Sequence, residues 1–200
     1  MLAVGSLALT GCGQKNQSNP NAGKGGGTTS KSAPLQDLNI KSRDEVKDGG
    51  TVRFSIETLP TTWNALHIDG NTVDLSTTIM GFVGANNFDI AEDGTPKPDT
   101  DYLQSYDVQT NGGKQVVTLH LNPKARWNSG RTIDYTDYQA TWKANNGANE
   151  DFKMASSDGF NQIESVKKGD KDTDVVITYK ATYPDWTATW SSVMPKEGVG

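Results

Sequence analysis

Residues 116–144, VVTLHLNPKARWNSGRTIDYTDYQATWKA, decide the fold. Val117, Leu119 and Leu121 alternate with Val116, Thr118 and His120, the period of a strand with one buried face. A matching run, 103–110, precedes it across Asn111-Gly112-Gly113, a strong hairpin signal. After Trp127 and Gly130 the pattern changes. Asp134 can cap a helix, and Asp137 stands where a capping box places an acid. Tyr135, Tyr138 and Trp142 then recur at helical spacing with Ala140 and Ala144, and Asn145-Asn146-Gly147 supplies a stop. Two strands and a helix in succession mean a mixed α/β body.

The same reading extends outward from this block. Gly49-Gly50 is a breaker, and 51–57 alternates, which predicts a strand with Val52, Phe54 and Ile56 on one face, ended by Pro60. Residues 71–83 carry a helical pattern (Val73, Leu75, Ile79, Met80, Val83) that Gly84 can stop. The run 91–98 is turn-rich, and 174–180 alternates again after a charged turn. Proline suits a first helical turn, so a short helix is expected after Tyr183-Pro184, stacking Trp186 on Trp190 four residues on.

The N-terminal end reads differently. Residues 1–9 are apolar or small, too few for a bilayer core that needs about 20 residues, but suited to the apolar part of a secretory signal. Cys12 is the single cysteine of the chain, which excludes an internal disulfide. Leu9-Thr10-Gly11-Cys12 resembles the lipobox of bacterial lipoproteins, which implies diacylglycerol on the Cys12 thiol and cleavage before it. No Lys or Arg precedes the apolar run, so a shortened signal is expected over 1–12. Residues 13–34 hold no large apolar side chain and cannot offset the entropy of ordering. A flexible coil of that length spans roughly 25 Å, the reach of a tether, which we place at 13–48.

Four stretches carry a family resemblance: GGTVRFSIETLPTTWNAL, DGTPKPDTDYLQSYDV, the block quoted first, and DVVITYKATYPDWTATW followed by MPK. In order and spacing they resemble the family-5 extracellular solute-binding proteins, the peptide receptors of ABC importers. The family pattern Trp-Ser-Asp-Gly-Thr is here Trp127-Asn128-Ser129-Gly130-Arg131, and Leu-Asp-Pro is Trp63-Asn64-Ala65. The resemblance implies a type II periplasmic-binding-protein-like fold with an incomplete first lobe. On that reading 49–81 begins the lobe, 82–190 is a smaller inserted α/β subdomain, and 191–200 starts the return. Family members run to several hundred residues, so the chain is expected to correspond to the first third of one. The loop after the first strand faces the ligand cleft in this family, which makes Thr61, Thr62, Trp63 and Asn64 the candidate ligand-binding residues. Pro60 is expected to free the hydroxyls and amide that follow it for a ligand.

Other chemistry is weak. A net charge of −5 argues against a nucleic-acid footprint, which would be basic and clustered. Asp170, Asp172 and Asp174 start like a calcium loop, but Val175 and Ala181 stand where Gly and Glu are required, so no metal site is assigned. His120 is expected to be solvated on its strand face, and His67 lies in a loop without ligand partners. No nucleophile elbow, zinc-protease or phosphate-loop motif is present. No cofactor is implied. Trp127, Trp142, Trp186 and Trp190 read as core, and Trp63 reads equally as core or ligand wall. The function implied is a lipid-anchored, extracytoplasmic peptide receptor working with a membrane permease. An anchored extracellular hydrolase or carbohydrate-binding domain is the alternative.

Overall fold

In the computed structural model, Asn39 and residues 41–199 are described. Cys12 and the signal reading lie outside these residues, as does the tether reading apart from Asn39 and residues 41–48, which are exposed where described and hold one 3-10 turn at Arg43–Glu45. The centre is a four-stranded antiparallel sheet in the order β4-β5-β7-β6: β4 is Leu103–Asn111, β5 Lys114–Leu121, β6 Ile163–Lys168 and β7 Asp174–Tyr179. Asn111 pairs with Lys114, so the connecting turn is Gly112-Gly113, with φ of 58° and 80°. Two positive φ values in a two-residue loop define the mirror-image turn that matches strand twist, which explains two adjacent glycines.

The alternation in β5 works as expected. Val117, Leu119 and Leu121 are buried, joined by Val175, Ile177 and Tyr179 of β7 and Val166 of β6. The helix α2, Tyr135–Asn145, belongs to the same core, where it contributes Tyr138. Its capping box is complete: the Asp134 carboxylate accepts from Thr136 N (2.8 Å), and Asp137 accepts from Asp134 N (3.1 Å). The strand β6 escaped the sequence reading. A bulge between Ile163 and Ser165 breaks its period of two, and Lys167 and Lys168 mark it as a charged edge.

Shorter elements surround this unit. Strands β1 (Ala85–Asn86) and β8 (Ser192–Val193) pair antiparallel, bringing the two ends of the intervening segment together. The run read as turns, 91–98, ends in β3 (Pro96–Pro98), which pairs with β2 (Phe88–Ile90) just before it. Two prolines are tolerated there because a two-stranded ribbon leaves one edge of each strand free.

Three expectations need correction. Residues 51–57 form no strand: among the described residues no strand lies beside them, and Val52 and Phe54 are 77% and 58% exposed. The Phe54 ring rests on that of Phe82 (5.0 Å), and the Asp74 carboxylate accepts from the backbone N–H groups of Glu57 and Thr58 (both 3.0 Å). The helix expected over 71–83 opens as a π-helix at Asp74–Ile79 and tightens into α1, Met80–Val83, before Gly84. Ser76 Oγ and Thr77 Oγ1 donate to the carbonyls four residues back, at 2.6 Å each, which loosens the backbone ladder. Of its apolar positions only Leu75 is fully buried, while Val73 and Val83 face out.

Trp186 and Trp190 do not stack. Helix α3, Trp186–Thr189, ends before Trp190, so the rings diverge. Trp186 meets Phe88 and Tyr106 edge-on, and Trp190 meets Tyr138 and Phe160. Both are buried, in keeping with their reading as core.

Candidate functional site

The loop holding Thr61, Thr62, Trp63 and Asn64 is built by short polar turns. Asn64 Oδ1 accepts from Leu66 N (3.0 Å), Thr62 Oγ1 accepts from Asn64 N (3.3 Å), and Thr61 Oγ1 donates to the Asp69 carbonyl (3.3 Å). A β-carbon on Gly70 would lie 2.1 Å from the Asn64 carbonyl oxygen, so this crossing requires glycine. The loop is also pinned from outside. Ile68 N donates to the Lys153 carbonyl (2.8 Å), and Ala155 N donates to that of Leu66 (2.9 Å). Leu66 packs with Met80 and Phe152 on a small cluster of Ala144, Met194 and Val199.

This geometry changes the expectation for the loop. The hydroxyls and the amide oxygen are spent inside it, because Asn and Thr side chains close local turns wherever the backbone offers partners. Trp63 is the group presented outward, 61% exposed among the described residues. The arrangement therefore offers a large ring on a braced loop whose threonine hydroxyls and Asn64 amide oxygen are already bonded within it.

A second feature lies where the 126–131 loop meets the C-terminal segment. A cleft of about 630 Å³ opens there, lined by Val83, Tyr102, Arg126, Trp127, Ile133 and Glu197 among others. Behind it sits Asp137, fully buried, accepting five hydrogen bonds. Arg131 supplies two, through Nη1 (2.9 Å) and Nη2 (2.6 Å). Trp127 Nε1 and Asp134 N add 3.1 Å bonds, and Lys196 N one of 3.0 Å. Burial alone would raise the Asp137 pKa; the Arg131 guanidinium and the other donors outweigh it and hold the carboxyl below its ordinary range. Arg131 Nη2 also reaches Glu197 Oε2 (2.7 Å).

Sequence reasoning saw Asp137 only as a helix cap. It missed the tie from the 126–131 loop to Glu197, whose one signal was Arg131 in place of the family's threonine. His120 also departs from its solvated reading. Its Nδ1 lies 2.9 Å from Asp174 and its Nε2 3.1 Å from Asp107, and the Asp174 bond raises its pKa against the opposing effect of burial. Among the described residues no group of three or more His, Cys, Asp or Glu could hold a metal ion, and no helix is long and apolar enough to cross a membrane.

The fold is the mixed α/β fold of type II periplasmic binding proteins, present here in part. It matches a periplasmic EDTA-binding protein, EppA, with a TM-score of 0.62 and 23% identity over 68% of this chain and 26% of that one. The oligopeptide-binding protein AppA of Bacillus subtilis, solved with a nonapeptide, matches with a TM-score of 0.57 at 19% identity, covering 69% and 26%. In sequence the chain is a homologue of the oligopeptide-binding protein OppA of Mycobacterium tuberculosis and Mycobacterium bovis, 34% identical over 188 residues. The match takes in 92% of this chain and 30% of OppA, so the chain spans under a third of its relatives' length. No family model matches it.

Proposed function

We propose that this chain is part of an extracytoplasmic receptor that captures peptides and delivers them to an ABC permease. Homology to OppA over nearly the whole chain carries the reading. In the proposal, residues 82–190 are the inserted subdomain of the first lobe, and the apolar surface of Val52, Phe54 and Phe82 packs against the remainder of a longer protein. A peptide held between two lobes favours the closed state by its higher affinity for that state. No bond is made or broken, and the relatives are binding proteins rather than enzymes. The hydrolase and carbohydrate-binding alternatives have no supporting observation.

Trp63 is the proposed wall for a peptide side chain, on a loop already braced by Thr61, Thr62 and Asn64. A rigid exposed ring binds at low entropic cost. In the full-length receptor, Trp63→Ala weakens peptide affinity by about 1–3 kcal/mol in titration calorimetry. It leaves the melting temperature of the unliganded protein unchanged. Unchanged affinity for every peptide the receptor binds would remove the loop from the site.

We further propose that Cys12 carries a lipid anchor. The supporting observation is Leu9-Thr10-Gly11-Cys12 after an apolar run. Two acyl chains give stable membrane attachment, at about 0.8 kcal/mol per buried CH₂. With a complete signal in a bacterial host, the protein takes up a fatty-acid label and partitions into detergent, and Cys12→Ser releases it. A label retained by that variant counts against the anchor.

A further inference from the structure

The cleft beside Arg126 is lined by charges of both signs, Arg126, Arg131 and Glu197, and by apolar side chains. Arg126 Nη1 donates to the carbonyls of Pro123 (2.6 Å) and Ala125 (2.8 Å). Two backbone acceptors on one nitrogen fix the guanidinium plane before any ligand arrives. Among the described residues the ion pairs of this neighbourhood belong to Arg131, and none includes Arg126. Glu197 faces the same cleft. Its Oε2 is held by Arg131, and its side chain is 59% exposed.

Charge bookkeeping selects the ligand. Arg131 is a single cation set against Asp137, Glu197 and, at 4.0 Å, Asp134, so the carboxylates around it outnumber it and the Glu197 side stays negative. Arg126 adds one positive charge nearby. A simple anion would suit Arg126 but be repelled by the Glu197 side, and a simple cation meets the reverse problem. A zwitterion satisfies both. Val83, Ile133 and the Trp127 and Tyr102 rings line the same cleft and offer apolar surface. The indole N–H of Trp127 is committed to Asp137 (3.1 Å), so its ring can act only as a wall. A volume of about 630 Å³ lies within the range of small-molecule sites.

We infer that this cleft is a binding site for a small zwitterion with an apolar body, an aromatic or branched amino acid, its carboxylate on Arg126 and its ammonium on Glu197. Guanidinium–carboxylate pairing is directional and among the stronger polar contacts a shallow site can make. Trp63 does not line this cleft, so the site stands apart from the loop proposed to meet peptides.

The test uses the full-length receptor and three probes: L-phenylalanine, its amide without the carboxylate, and N-acetyl-phenylalanine without the ammonium. Binding is read by titration calorimetry and tryptophan fluorescence. L-phenylalanine binds saturably, and each altered probe binds at least tenfold more weakly. Arg126→Gln costs tenfold for L-phenylalanine and nothing further for the amide, and Glu197→Gln does the same with N-acetyl-phenylalanine as the indifferent probe. Trp63→Ala changes none of these values, so failure of the receptor reading and failure of this one remain distinguishable. Absence of saturable binding, equal affinity for all three probes, or indifference of L-phenylalanine to both variants overturns the inference.

Discussion

Replacing Asp137 by alanine lowers stability by about 3–5 kcal/mol, because it removes one partner of a buried ion pair and strands the donors around it. Five hydrogen bonds converge on this carboxylate, from Trp127, Arg131 twice, Asp134 and Lys196. Two of those donors are backbone N–H groups that have no second acceptor once the side chain is gone. The loss also breaks the capping box that starts α2. Chemical denaturation should show the effect directly, and heating should show a melting point lower by on the order of 10 °C.

Glu197→Ala is the matched control. Glu197 meets the same guanidinium from an exposed position, where an ion pair is worth about 0–1 kcal/mol. The two variants should therefore differ by at least 2 kcal/mol, and a cost below about 1 kcal/mol for Asp137→Ala would mean the cluster is not formed in solution.

The same carboxyl makes stability depend on acid. Its folded pKa lies below the unfolded value near 3.9, so its contribution is present above that value and is lost as pH falls through the folded one. Asp137→Asn should flatten that acid limb.

What could be read from the sequence was local. The β4–β5 hairpin followed from Asn111-Gly112-Gly113 and two alternating runs, and α2 followed from Asp134 and Asp137, because each signal lies within a few residues of the structure it makes. The same locality explains the misses. Residues 51–57 alternate correctly but form no ladder, since a strand needs a neighbour and alternation cannot supply one. Strand β6 lost its period to one bulged residue. Strands β1 and β8 are two residues each, too short to show any period. At the candidate site, Trp63 was legible as a ring in a polar loop, but the inward turn of Thr61, Thr62 and Asn64 was not. Arg131 and Glu197 are 66 positions apart and carried no shared signal.

The other large effect belongs to Trp190, through which three elements of the fold meet. The side chain is fully buried, with ring centroids 5.3 Å from Tyr138 of α2 and 5.5 Å from Phe160. Its Nε1 donates to the Tyr179 hydroxyl of β7 (3.1 Å). Its carbonyl accepts from Asn87 Nδ2 (2.7 Å), and Asn87 Oδ1 in turn accepts from the Tyr138 hydroxyl (2.6 Å). Helix, sheet and the β1–β2 connection are thus held by one ring and one buried amide. Trp190→Ala opens a cavity that this packed setting cannot fill, and costs about 3–5 kcal/mol. Trp190→Phe keeps most of the packing and loses the donor to Tyr179, so it should cost less, about 1–3 kcal/mol. Urea titration separates the two by midpoint at constant slope. Equal, small losses in both variants would show that the ring is not enclosed as described.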